Sequence, residues 1–137
     1  MGTRYAERGD LLRFGLSADA LAGVPTATQD EALDGASSML DGYIASRRKL
    51  PLSAWGDDLR RYACGIAAYD LMVTRGYQPG AGNDEQLRMR FDDALDWGAR
   101  FAAGRVDSPD MVDATPSDAS DERRSVTITN TRRRWIR

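Results

Sequence analysis

Three separate runs between residues 28 and 104 repeat their apolar side chains at every third or fourth position, and this spacing restricts the chain to helices packed on helices. The first run is Ala32, Leu33, Ala36, Met39, Leu40, Tyr43 and Ile44. Thr28 and Glu31 form a capping box ahead of it, and Arg47-Arg48-Lys49 and Pro51 end it. The second is predicted to start at Ser53 and to bury Leu59, Tyr62, Ala63, Ile66, Tyr69, Leu71 and Val73 before Gly76 closes it. A turn-rich stretch from Tyr77 to Gly82 leads to Asn83, the expected cap of the third run: Leu87, Phe91, Ala94, Leu95, Gly98, Phe101 and Ala102, stopped by Gly104. Two shorter pieces precede these, Ala6 to Phe14 and a turn capped by Ser17, both too small to stand alone. The expected fold is all-α: an antiparallel bundle of three long helices plus short N-terminal helices, with an extended C-terminal arm carrying one β-strand.

The arm follows from a change of character after Val106. Residues 1–106 read as the helical domain and 107–124 as an acidic extended linker with little to bury. Residues 125–137 read as a terminal arm, in which Ser125 to Thr131 alternate apolar and β-favouring residues. Asp107 to Glu122 hold six acids and no base, and Arg123 to Arg137 six arginines and no acid; blocks of this kind act through partners. A lone strand needs an edge supplied from elsewhere. Val126 and Ile128 are therefore expected to enter a neighbour's surface, with Arg132, Arg133, Arg134, Trp135 and Ile136 anchoring the end. Arg47, Arg48 and Lys49 are the other basic cluster, expected to meet DNA phosphates or acids on a neighbour.

Catalysis has little to work with. The 137 residues contain no histidine and one cysteine, Cys64, which removes the common general base, most metal sites and every thiol-imidazole or hydroxyl-imidazole nucleophile. Cys64 reads as a small buried residue, Asp92, Asp93 and Asp96 as a solvated face, and Gly42 as a point of close helix approach. No enzyme, cofactor or metal is expected. No apolar run spans a membrane and no secretory leader is evident at Met1, so the cytoplasm is the expected site of synthesis. A small DNA-binding regulator is the competing class, with Gln86, Arg88 and Arg90 as its reading face; Asp92, Asp93 and Asp96 beside them would repel phosphate.

Four phrases in order carry a family resemblance. Tyr5-Ala6 with Asp10-Leu11-Leu12 and Phe14-Gly15 comes first, then Ala32 to Ser37 through Asp41-Gly42-Tyr43-Ile44-Ala45, Arg47 and Leu50-Pro51-Leu52. Leu59, Tyr62-Ala63-Cys64, Ile66-Ala67 and Tyr69 follow, and Arg90 to Leu95 with Ala102 to Val106 completes the set. This pattern resembles the phage Mu-type head-tail connector family. The resemblance implies a homo-oligomeric ring, commonly a dodecamer, between the portal protein and a tail or stopper protein, with DNA passing non-specifically through its centre. It also implies a place in the virion at the head-tail junction, after assembly in the host bacterial cytoplasm.

Overall fold

The computed structural model describes residues 3–74 and 82–113, with the side chains of 82–84 left aside, and its regular structure is helical. Five helices follow one another: α1 Arg8–Phe14, α2 Ala18–Leu21, α3 Thr26–Ile44, α4 Asp57–Thr74 and α5 Gly82–Ala102. The all-α expectation holds over these residues. The expected strand at 125–131 and the rest of the arm lie outside them, as does most of the 77–82 turn.

Local chemistry sets the helix boundaries. The Glu7 amide donates to the Asp10 carboxylate at 3.0 Å to start α1, and Ser17 Oγ accepts from the Ala20 amide at 3.3 Å to start α2. α3 begins two residues before the expected cap at Thr28. Pro25, with φ −58°, offers its carbonyl to the Gln29 amide at 3.1 Å and closes the first turn itself, while the Gln29 side chain donates to the Val24 carbonyl. α4 begins four residues later than expected. Ser53 and Ala54 are committed to backbone pairing with Val112, Ser53 N–H donating at 2.9 Å and Ala54 C=O accepting at 2.8 Å, so they stay extended. The last turn of α5 ends as anticipated at Gly104, whose φ of +79° suits a residue without Cβ.

α4 is the axis of the core. Six consecutive residues, Ala63 to Ala68, are buried, which requires cover on every side: α3, α5 and α1 supply it. Against α5 the helices run in opposite directions, because Tyr62 stacks on Trp97 at 4.8 Å while Tyr69, two turns on, stacks on Phe91 at 4.2 Å. Trp97 also stacks on Phe101 at 5.2 Å, so it sits in the middle of the α5 face. The expected face named Leu95 instead, which is half-buried, and passed over Trp97, which is buried. At the far side of α5, a Cβ on Gly98 would lie 2.5 Å from the Tyr43 ring. Gly98 is thus the close-approach glycine. Gly42, expected in that role, is exposed with nothing within 4 Å of its Cβ position.

Two straps brace the helices. Residues 3–7 cross α3: Arg4 forms a fork on Asp34 at 2.7 and 3.1 Å, the buried Tyr5 donates its amide to Ser37 Oγ at 2.9 Å, and its hydroxyl donates to Asp41. Ser37 is buried where it receives that amide. The second strap is residues 103–113. Residues 107–113 lie on the body rather than beginning a free linker, since Met111 enters the core and the Ser108 hydroxyl donates to Asp58 at 2.6 Å. Asp107 and Asp113 both pair with Arg48. The acidic composition concealed one buried methionine and two neutralised carboxylates.

Candidate interaction surface

Of the residues expected to meet partners, those of the arm (Val126, Ile128, Arg132, Arg133, Arg134, Trp135 and Ile136) lie outside the described residues. The basic corner lies inside them, and the structure ties two of its three side chains to groups of the chain itself. Arg47 Nη1 donates to the Phe101 and Val106 carbonyls at 3.1 and 2.8 Å, and its guanidinium lies 4.8 Å from the Phe101 ring centroid. Arg48 reaches Asp107 at 2.6 Å and Asp113 at 3.5 Å, and the Lys49 amide donates to Asp113 at 3.0 Å. The Ser108 amide and then Arg48 hold the Asp107 carboxyl below its ordinary range. This corner is therefore a clasp for the strap. Its two arginines close the end of α5 against the α3–α4 connection through their terminal nitrogens, while Arg48 Nε is buried with no acceptor among the described residues.

Sequence reasoning did not find the more open cationic surface, a groove of about 650 Å³ between α1, α4 and α5. Its lining is Arg13, Phe14, Asp58, Arg61, Tyr62, Arg90 and Asp93. Phe14 organises it: the guanidinium carbons of Arg13 and Arg61 lie 4.7 and 5.0 Å from its ring centroid. Arg90 Nη1 donates to the Phe14 and Gly15 carbonyls at 3.3 Å each, which ties α5 to the end of α1. Burial, then the Asp58 carboxylate, pushes the Tyr62 hydroxyl above its ordinary range. Phe14, Arg61 and Arg90 stand far apart in sequence, and no local spacing announces that they converge.

The remaining candidates have plain structural roles. Cys64 is fully buried and its thiol is pushed up to about 12 by burial, which suits a packing residue and opposes a nucleophile. No group of three metal-ligating side chains occurs among the described residues, and Asp96 pairs with Arg100 at 2.8 Å. On the α5 face proposed for reading DNA, Gln86, Arg88 and Arg90 are exposed, but Arg90 is held by the α1 carbonyls and Asp92 and Asp93 are exposed beside it. No described helix is long and apolar enough to cross a membrane. Large apolar side chains do reach the surface, Leu12 on α1, Val73 on α4 and Met89 on α5 among them.

Comparison with known proteins places these features in context. The family model described as "Bacteriophage Mu, Gp36" matches residues 7–127, which takes in both the helical body and the acidic segment beyond it. The chain is 30% identical over 110 residues to the Mu-like prophage FluMu protein gp36 of Haemophilus influenzae, a match covering 74% of this chain and 73% of that protein. It is 32% identical over 81 residues to Gene product J of Escherichia phage Mu, covering 59% of this chain and about half, 52%, of that relative.

Proposed function

We infer, from the premise that this chain belongs to the bacteriophage Mu Gp36 family, that it is a structural subunit of the head-tail connector. On this reading it forms a homo-oligomeric ring between the portal and a tail or stopper protein, with DNA passing non-specifically through the centre. It turns over no substrate. The family membership carries the reading, and the shape of the body supports it. Three long helices, read as an antiparallel bundle, make a rigid wedge braced by straps on both sides. Rigid wedges with apolar side chains at their surface, as at Leu12, Val73 and Met89, suit lateral packing in a ring.

The arm completes the proposal. Residues 125–137 add a strand to a neighbouring protein's sheet edge, with Val126 and Ile128 in pockets on one face and Trp135 and Ile136 as anchors. The arginines 132–134 pair with acids there. Disrupting the gene in its own phage and imaging the purified particles tests the assignment. Filled heads and separate tails are expected, with joined particles restored by the intact gene and the tagged subunit located at the junction. Complete particles without the protein, or particles in which it is absent, would overturn it.

A further inference from the structure

We propose that the arginine groove between α1, α4 and α5 receives the acidic segment 114–122 of a neighbouring copy of this chain. The inference rests on the ring reading only in making the two copies adjacent subunits. The groove presents three guanidiniums, Arg13, Arg61 and Arg90, against two carboxylates. One of those carboxylates is engaged elsewhere: Asp58 accepts from Ser108 Oγ at 2.6 Å and from the Leu59 amide at 2.8 Å. Among the described residues no carboxylate comes within ion-pair distance of Arg61 or Arg90, and Arg13 has only Asp57, at 3.9 Å. Phe14 packs against the Arg13 and Arg61 guanidiniums and the carbonyls of Phe14 and Gly15 accept from Arg90, which leaves further N–H groups of all three open to an incoming carboxylate.

The matching acceptors are in the chain itself. Segment 114–122 carries Asp118, Asp121 and Glu122, and no base. Spaced carboxylates on a peptide can each find a guanidinium while avoiding Asp93. A DNA duplex, with one charge per roughly 1.7 Å of axis, brings a dense phosphate row against Asp93 and the neighbouring Asp92. The ring reading, which sets the groove beside the acidic segments of adjacent subunits, assigns the segment to a second copy. The strap touches the groove's edge at Ser108, and its later partners, Ala54, Arg48 and Lys49, are not among the lining residues.

The test exchanges charges between full-length chains and reads mass by light scattering at low salt. Arg13→Glu with Arg61→Glu reverses the groove; Asp118→Lys, Asp121→Lys and Glu122→Lys reverse the segment and leave the helical body untouched. The native chain is expected to self-associate, and each reversed variant to do so on the order of tenfold more weakly or worse. Mixing the two variants should restore association, since each then offers what the other needs. Circular dichroism confirms the helical body of each, and the segment variant decides the matter if the groove variant does not fold. A monomeric native chain, variants that associate normally, or a mixture that stays apart overturns the proposal. So does duplex DNA retained by the native groove and lost on its reversal. Particles lacking the protein would sink the connector assignment while leaving this contact standing, whereas a chain that never self-associates yet still joins heads to tails would do the reverse.

Discussion

Gly42 and Gly98 look alike in sequence, each inside an amphipathic helix, and the structure gives them opposite roles. At Gly98 an added Cβ would stand 2.5 Å from Tyr43 Cδ2, with other ring atoms at 2.8 and 2.9 Å. Gly98→Ala should therefore push α3 and α5 apart or turn the ring from its place, lowering stability by about 1–3 kcal/mol in thermal melts. At Gly42 nothing lies within 4 Å, so Gly42→Ala adds helix propensity without a clash and should raise stability by up to about 1 kcal/mol. A rise at both positions would mean that Tyr43 does not pack on α5. Trp97 is the other residue whose weight exceeds its sequence signal. It is buried between Tyr62 and Phe101, and Trp97→Ala should cost about 3–5 kcal/mol, well above Leu95→Ala at the half-buried neighbour.

Among elements, the strap 103–113 shows most clearly what the sequence concealed. The helices were legible because their apolar spacing is a local signal: Leu33, Ala36, Leu40 and Ile44 on α3, like Leu59, Ala63 and Ile66 on α4, are all buried where periodicity put them. The strap has no periodicity. Its hold depends on Arg48, Ala54 and Asp58, about 50 to 65 residues away in the chain, and composition alone suggested a free acidic linker. The groove was hidden for the same reason, since α1, α4 and α5 each contribute only one or two cations. Arg48 carries the strap electrostatically, with Asp107 at 2.6 Å and Asp113 at 3.5 Å. Because the folded Asp107 carboxyl ionises below its ordinary 3.8, its contribution is complete well above pH 3.8 and is lost as acidification passes through the lower folded value. Hydrogen exchange at the Val112 amide, bonded to Ala54 at 2.8 Å, should quicken below pH 3.8 relative to amides inside α4, after correction for intrinsic rates. Arg48→Met should produce the same loosening at neutral pH; an unchanged Val112 amide would show that Met111 alone seats the strap.

For the molecule as a whole, residues 107–113 count with the packed body. A chain ending at 113 keeps Met111 in the core and the Val112 bridge. Ending it at 106 removes Met111 from the core and the Val112 bridge, and should lower stability by about 2–4 kcal/mol. Equal melting temperatures for the two truncations would contradict the packed strap. Three consecutive residues also join both straps: Ser53 and Ala54 pair with Val112, and the indole N–H of Trp55 donates to the Tyr5 carbonyl at 2.9 Å. A pull on the chain beyond Asp113 is thus delivered to a cleat at 53–55 and from there to Tyr5, the Ser37 hydroxyl and the flank of α3. Tension applied from outside is thereby shared between the flank of α3 and the start of α4, where Ser108 holds Asp58.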